Sequence, residues 1–414
     1  MRTADSHRAL AVACLLVVIA FAAACGRDAV PAVTITALPS PVGAGAAEPF
    51  VATAPDGRVT LSWLARATDS SVALRFAFLD STRTTWSEAR EILRRTDLFV
   101  NWADFPSVVP LADGRLVAHW LQRNGRGTYA YDVRMSESLD EGATWSESAL
   151  PHAPGIPAEH GFVSILPFAD GGAGVTLLDG GAGLVGAARD AHPAMQLGYA
   201  TWDDGRVTAT RILDTRVCDC CQTASAMTSR GPVVVYRDRS DAEIRDMSVV
   251  RLVDGAWTEP RTLHPDGWEI RSCPVNGPAI GAMHDSVAAV WFTGAQDTAR
   301  VRVAFSADAG ATFGVPARVD GGLPTGRVDL EMLDGRTALV SWIERTGGDS
   351  AEVWVRVVRA DGTMGEPAVV SPSSGARSSG FPRMTRVPGG AVIAWTVPGS
   401  PSTVKVAMVR VGAP

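Results

Sequence analysis

Apolar residues along this chain gather in short runs, not in helical stripes. The runs are rich in Val, Leu, Ile, Trp and Phe and are broken by Gly, Pro and Asp. This is the pattern of β-strands, many of them buried on both faces. One strand end recurs: Ser62-Trp63-Leu64, His119-Trp120-Leu121, Thr176-Leu177-Leu178, Val235-Tyr236-Arg237, Val290-Trp291-Phe292, Ser341-Trp342-Ile343 and Ala394-Trp395-Thr396. Aligned on Trp63, Trp120, Leu178, Tyr236, Trp291, Trp342 and Trp395, the steps run from 51 to 58 residues. A tight turn precedes each, as in Pro55-Asp56-Gly57, Ala112-Asp113-Gly114 and Leu333-Asp334-Gly335. Asp-Gly between two apolar runs marks a β-hairpin. A period of this length carried by strands predicts an all-β propeller of four-stranded blades. The count gives seven blades, with six as the alternative.

Each unit predicts four strands. The outermost are expected at 146–150, 207–212, 257–263, 313–319 and 364–370. The seventh unit ends after three strands, at 404–411. Val33-Thr34-Ile35-Thr36 alternates like a strand and has no other place. It is expected to complete the seventh blade, closing the ring and removing an exposed edge.

Composition narrows the classes. The chain has 414 residues, 46% of them hydrophobic, which supports a large core. A net charge of −6 gives no basic footprint for nucleic acid. Lys405 is the only lysine, so Schiff-base chemistry is not expected. Arg2 and Arg8 precede an apolar run from Ala9 to Ala24, too short for a membrane span and suited to export. The run ends Ala22-Ala23-Ala24-Cys25-Gly26 and resembles a bacterial lipoprotein box. The resemblance implies a signal peptide at 1–24, lipid on Cys25, a tether at 25–45 that includes the closing strand, and the propeller at 46–414. The expected location is the cell envelope, with the membrane as partner through lipid, no nucleic acid, and a monomer. The Gly-rich insertion 180–192 reads as a loop.

Two turns carry a further signature. Ser138-Leu139-Asp140-Glu141-Gly142-Ala143-Thr144-Trp145 and Ser306-Ala307-Asp308-Ala309-Gly310-Ala311-Thr312-Phe313 share one form. They resemble the Asp-box (BNR) repeats of the sialidase-like propellers. A sialidase also uses three arginines around a carboxylate, a tyrosine nucleophile paired with a glutamate, an aspartate acid, and an early Arg-Ile-Pro motif. No such motif stands near Phe50 or Phe105, and Tyr236 occupies the repeated aromatic position. Glu159-His160-Gly161-Phe162, Cys218-Asp219-Cys220-Cys221 and Cys273-Pro274-Val275-Asn276-Gly277-Pro278 are similar to an exported sialidase-like group without an assigned activity.

In a propeller the leads into the innermost strands converge at one mouth of the channel. Those leads carry the chemistry here. Asn101, Trp102, His160, Gln222 and Asn276 are the expected ligand contacts. Arg237 and Arg245 offer an anion clamp, as paired guanidinium groups suit carboxylates. Arg327 and Arg383 are placed at the mouth for the same task. Asp104 and Asp329 are candidate acid and base. Cys218, Cys220, Cys221 and Cys273 allow two readings: a disulfide between Cys273 and one of the three, as export favours, or a copper or zinc thiolate site with His160 as an extra ligand. The expected function is a lipid-anchored propeller binding a glycan or anionic small molecule at the channel mouth. A sialidase-type glycoside hydrolase and a thiolate metal protein are the alternatives.

Overall fold

The computed structural model describes residues 30–181 and 194–412. The signal peptide, Cys25 and most of the 180–192 insertion lie outside the described residues. Seven antiparallel sheets form seven blades of a β-propeller. The innermost strands are Ala46–Thr53, Ser107–Pro110, His160–Pro167, Ala224–Thr228, Ala279–Met283, Pro324–Asp334 and Arg383–Val387. The count of seven holds. Val33–Leu38 pairs antiparallel with Thr403–Val411, from Val33 opposite Val411 to Leu38 opposite Val406. The last blade is thus built from both parts of the chain, as expected.

Outer strands depart from the sequence reading. In the third blade the strand is Arg211–Val217, in the fourth Arg261–His264, in the fifth Ala317–Arg318 and in the sixth Ala368–Ser374. In the second blade it shrinks to a bridge between Met135 and Ala149. The turn before each outer strand takes up residues that the apolar pattern assigned to the strand. A rim strand has one neighbour and an exposed face, so its sequence is weakly patterned.

Each blade is covered on both sides by its neighbours, so its central strands are buried along most of their length. Val59 to Leu64 is entirely buried. The repeated aromatics point to the preceding blade. Trp63 packs with Val392 and Val404 of the seventh blade, and Trp291 with Val233 and Val235 of the fourth. Trp342 packs against the fifth blade and Trp395 against the sixth. In the third blade the equivalent residue is Leu177, one place before the Leu178 of the sequence alignment. Thr176 pairs with Ser164 just as His119 pairs with Ser107. Leu177 accordingly faces the second blade, whereas Leu178 faces the fourth. Truncating such a buried large side chain costs about 3–5 kcal/mol.

The two signature turns are built alike. Asp140 Oδ1 accepts from the Thr144 amide at 2.8 Å, and Ser138 Oγ accepts from the Gly142 amide at 2.7 Å. Asp308 and Ser306 repeat this with Thr312 at 2.8 Å and Gly310 at 2.9 Å. Gly142 and Gly310 take φ +83° and +76°, open to glycine at little cost.

Candidate functional site

Seven innermost strands enclose a central cavity of about 400 Å³. Every blade contributes to its wall, including Val51, Ser107, Ser164, Ser225, Ile280, Glu331 and Thr385. At the end where the strands are entered, the hole is roofed. Trp102, Phe105, Phe162, Cys220, Val275 and Phe381 meet in one apolar cluster drawn from five blades. Trp102 stacks on Phe381 at 5.8 Å between ring centroids, and Phe105 lies 6.0 Å from Phe381. Phe381 is 3% exposed. The expected mouth is therefore closed, and a ligand there would rest on the roof.

Most of the polar residues predicted at this end join blades together. Asp104 of the second blade accepts from the Phe162 amide of the third at 2.8 Å. Gln222 of the fourth accepts from Gly277 of the fifth at 2.9 Å and donates to Ala103 O at 2.5 Å. Asn276 of the fifth accepts from the Arg327 amide of the sixth at 2.8 Å. Asp329 of the sixth accepts from the Met384 amide of the seventh at 2.6 Å. Buried strand-entry amides need partners, and these side chains supply them. Asn101 closes its own turn, accepting from the Ala103 amide at 2.9 Å.

This corrects the acid/base reading of Asp104 and Asp329. All four carboxylate oxygens already hold donors. Asp104 Oδ2 takes the Tyr131 hydroxyl at 2.9 Å, and Asp329 Oδ1 takes the Leu330 amide at 3.0 Å. Burial pushes the Asp104 carboxyl up to about 7, against the pull of its two donors. Arg383 leans on Asp329 at 3.4 Å and covers Phe50 and Phe105, at 5.4 and 5.7 Å.

Arg237 and Arg245 do not form an anion clamp. Both are 2% exposed. Arg237 donates to Asn276 O at 2.9 Å, Arg245 O at 2.6 Å and Phe292 O at 2.7 Å, over the Trp268 ring. Arg245 donates to Glu243 at 2.9 Å and reaches Cys218 Sγ at 3.5 Å.

Arg327 is different. Its guanidinium lies 4.9 Å over the Trp102 ring, and it makes long polar contacts to Gly375 O and Gly380 O, both 3.4 Å. Burial, and then the charges of Arg345 and Arg377, lower it to about 10. None of these three arginines forms an ion pair with a carboxylate among the described residues. Arg345 and Arg377 are exposed. Arg327 itself is a non-glycine residue at φ +56°, a strained conformation of the kind that gathers at functional sites. Sequence reasoning found Arg327 and Trp102 but missed Arg345, Arg377 and Phe381. Arg345 lies near the end of the second strand of the sixth blade, Thr337–Gly347, where a lone exposed arginine carries no signal.

The cysteines converge as the blade order requires. Cys218 Sγ lies 2.9 Å from Cys221 Sγ and 3.9 Å from Cys220 Sγ, and Cys220 contacts Cys273 of the next blade. No disulfide joins any two of them among the described residues. Cys218 is lowered well below its ordinary range; burial opposes this, and its thiol neighbours and Arg237 outweigh it. His160 does not join them. It stacks flat on His152, ring centroids 3.7 Å apart, and pairs with Asp179 at 3.2 Å. Successive strand residues face opposite ways, so Glu159 turns toward the thiols instead. Burial, Asp104 and then Asp219 and Cys273 help hold Glu159 at about 8, although it accepts from Tyr131 at 3.1 Å. Tyr131, flanked by Asp104 and Glu159, was not singled out in the sequence. It is fully buried, and burial raises its hydroxyl well above the usual range.

No protein-family model and no curated protein sequence matches this chain. Solved structures do. A protein of unknown function from Dyadobacter fermentans DSM 18053 is 14% identical over 92% of this chain and 100% of its own, with a TM-score of 0.54. The polysaccharide lyase Uly1 is 10% identical over 88% and 90%, with a TM-score of 0.53. Trypanosoma rangeli sialidase, in complex with the inhibitor DANA, is 12% identical over 79% and 56%, with a TM-score of 0.50. At such identities the likeness is one of fold: a propeller shared with sialidases and polysaccharide lyases.

Proposed function

We propose that this chain binds a carboxylate-bearing glycan on the outer surface of its roof. The observation that carries the reading is Arg327 over Trp102, with the charges of Arg345 and Arg377 close enough to repel it and no acidic partner for any of the three among the described residues. Clustered arginines without acids repel one another, and a carboxylate relieves that repulsion with paired hydrogen bonds. The propeller fold, shared with glycan-active proteins, is consistent with this class of ligand. The same reading keeps the protein in the cell envelope, tethered by lipid on Cys25.

The test is calorimetric titration with uronate- and sialate-containing oligosaccharides and their neutral reduced counterparts. The expected result is binding of the acidic sugars alone, weakened at high salt and lost in Arg327→Ala. Equal binding of neutral sugars, or unchanged affinity in both Arg327→Ala and an Arg345→Ala/Arg377→Ala double variant, would overturn it.

A second reading is turnover of that glycan. It is favoured by Glu159, a half-buried carboxyl held near 8 and therefore protonated at neutral pH, as a general acid must be. Product release from a bound oligosaccharide that disappears in Glu159→Gln would establish it; no product from any acidic oligosaccharide would leave binding alone.

A further inference from the structure

The four cysteines ask for a separate account. They come from two loops, one entering the fourth blade and one entering the fifth. Cys218, Cys220 and Cys221 bring their sulfurs within 4.8 Å of one another. Cys220 also contacts Cys273. We propose that Cys218, Cys220, Cys221 and Cys273 form a thiolate site for a soft d10 metal ion, Cu(I) or Zn(II), entered through Cys273.

Spacing supports the site for Cys218, Cys220 and Cys221. Four sulfurs at about 2.3 Å from one ion stand about 3.8 Å apart. The Cys218–Cys220 separation of 3.9 Å already matches. The Cys218–Cys221 separation of 2.9 Å must widen by about 0.9 Å to reach the same edge. Both residues sit in one short loop, so the change is local.

Charge supports it further. Arg237 is buried, and its hydrogen bonds go only to neutral carbonyl oxygens. Arg245 pairs with Glu243 at 2.9 Å and also donates to Cys218 Sγ, with its Nε unpartnered, so the missing counter-charge is that of Arg237. Burying a cation without a counter-charge is costly. Four thiolates around a divalent ion carry a net charge of −2, and around a monovalent ion −3. Either places negative charge where these guanidinium groups face. Two disulfides would be neutral and would leave Arg237 without it.

Exposure gives the route. Cys218 and Cys221 are buried, Cys220 is half-buried and Cys273 is exposed. An ion can first be held by Cys273 and then pass inward by exchange of one sulfur for another. Each thiol still protonated gives its proton to solvent as the metal–sulfur bond forms. Soft thiolates exclude calcium and magnesium and select ions of this kind. His160, held by His152 and Asp179, takes no part.

The experiment uses the full chain, reduced and kept anaerobic. It is loaded in separate arms with Zn(II) and with Cu(I) held by a competing chelator, and metal per chain is measured by atomic emission. One ion per chain is expected, with the tighter arm naming the metal. Cys220→Ser should weaken retention by more than the roughly 10–100-fold typical of losing an outer-shell partner. Cys273→Ser, at an exposed position, should lose metal while its thermal unfolding stays that of the metal-free parent. Arg327→Ala should bind metal as the parent does, which separates this site from the glycan surface. Failure to retain either ion after reduction would overturn the proposal. So would an intact mass, from protein taken directly from its own compartment, that lacks four hydrogens and is joined to no metal uptake on reduction.

Discussion

Asn276 Oδ1 receives the backbone N–H of Arg327 at 2.8 Å, across the boundary between the fifth and sixth blades. The same Asn276 donates to Thr325 O at 3.2 Å and to Pro274 O at 3.1 Å. One amide side chain thus holds its own loop, the neighbouring strand and the backbone of the arginine that lies over Trp102. Arg327 keeps its unusual φ of +56° because this grip, with Gly326 beside it at +84°, leaves it no other path.

Asn276→Ala should therefore do two things. It leaves the buried Arg327 amide unpaired, which should lower stability by about 1–3 kcal/mol. It should also weaken binding of the acidic glycan, since the guanidinium loses its fixed base. Denaturant midpoints and calorimetric titration of the same protein would check both. A stability loss with full affinity would show that Arg327 is positioned by its other contacts.

Stability should fall as pH rises from about 4 to 8. Burial holds Glu48 and Asp104 near 7, and Glu159 and Glu331 near 8. In the unfolded chain such groups titrate near 4. Between those values the folded protein binds protons that the unfolded chain has released, so raising pH favours unfolding. The turn aspartates act oppositely: Asp80, Asp140 and Asp308 sit near 2, and their contribution is lost only as pH falls below about 4. Melting temperature should be higher at pH 5 than at pH 8, and Glu159→Gln should shrink the difference. A flat profile over that range would contradict the burial of these carboxyls.

Two glycines in similar turns should respond unequally to alanine. Gly114 has φ +88° and open space where a Cβ would go. Gly142 has φ +83°, and its Cβ would run into the Phe76 ring, which packs edge-on to Trp145. Gly114→Ala should lose about 1–2 kcal/mol, the backbone effect alone. Gly142→Ala should lose about 1–3 kcal/mol more through overpacking. Chemical denaturation of the pair would measure the gap.

The blades were readable because their chemistry is local. Trp63, Trp120, Trp291, Trp342 and Trp395 recur after hairpin turns, and each fills the same gap against the preceding blade. Leu177 was misread by one residue because Leu178 is also apolar; only pairing separates them. The site was readable in place and not in role. Asp104, Gln222, Asn276 and Asp329 do gather at one end of the strands. A polar side chain there looks the same in sequence whether it meets a ligand or a neighbour's amide. Arg237 and Arg245 failed for a similar reason, since nothing local says that a guanidinium is buried. The thiols were legible because blade order alone brings Cys273 to Cys220.

Ile35→Pro should open the ring. Ile35 pairs with Val409 in the middle of the closing strand. Proline there removes a backbone donor and fixes φ, which should weaken the pairing with Thr403–Val411. The melting temperature should drop, and hydrogen exchange in Thr403–Val411 should rise before that of the other blades. Uniform loss of protection throughout the ring would mean that closure and folding are one event.

Pairing Val33–Leu38 with Thr403–Val411 also sets an order of events during synthesis. Val33–Leu38 must wait, unpartnered, until Thr403–Val411 has emerged from the ribosome. Until then the nascent molecule is an arc with two sticky edges, open to the wrong neighbour. A chaperone that shields those edges, rather than one that speeds any single blade, is the helper such a circle calls for.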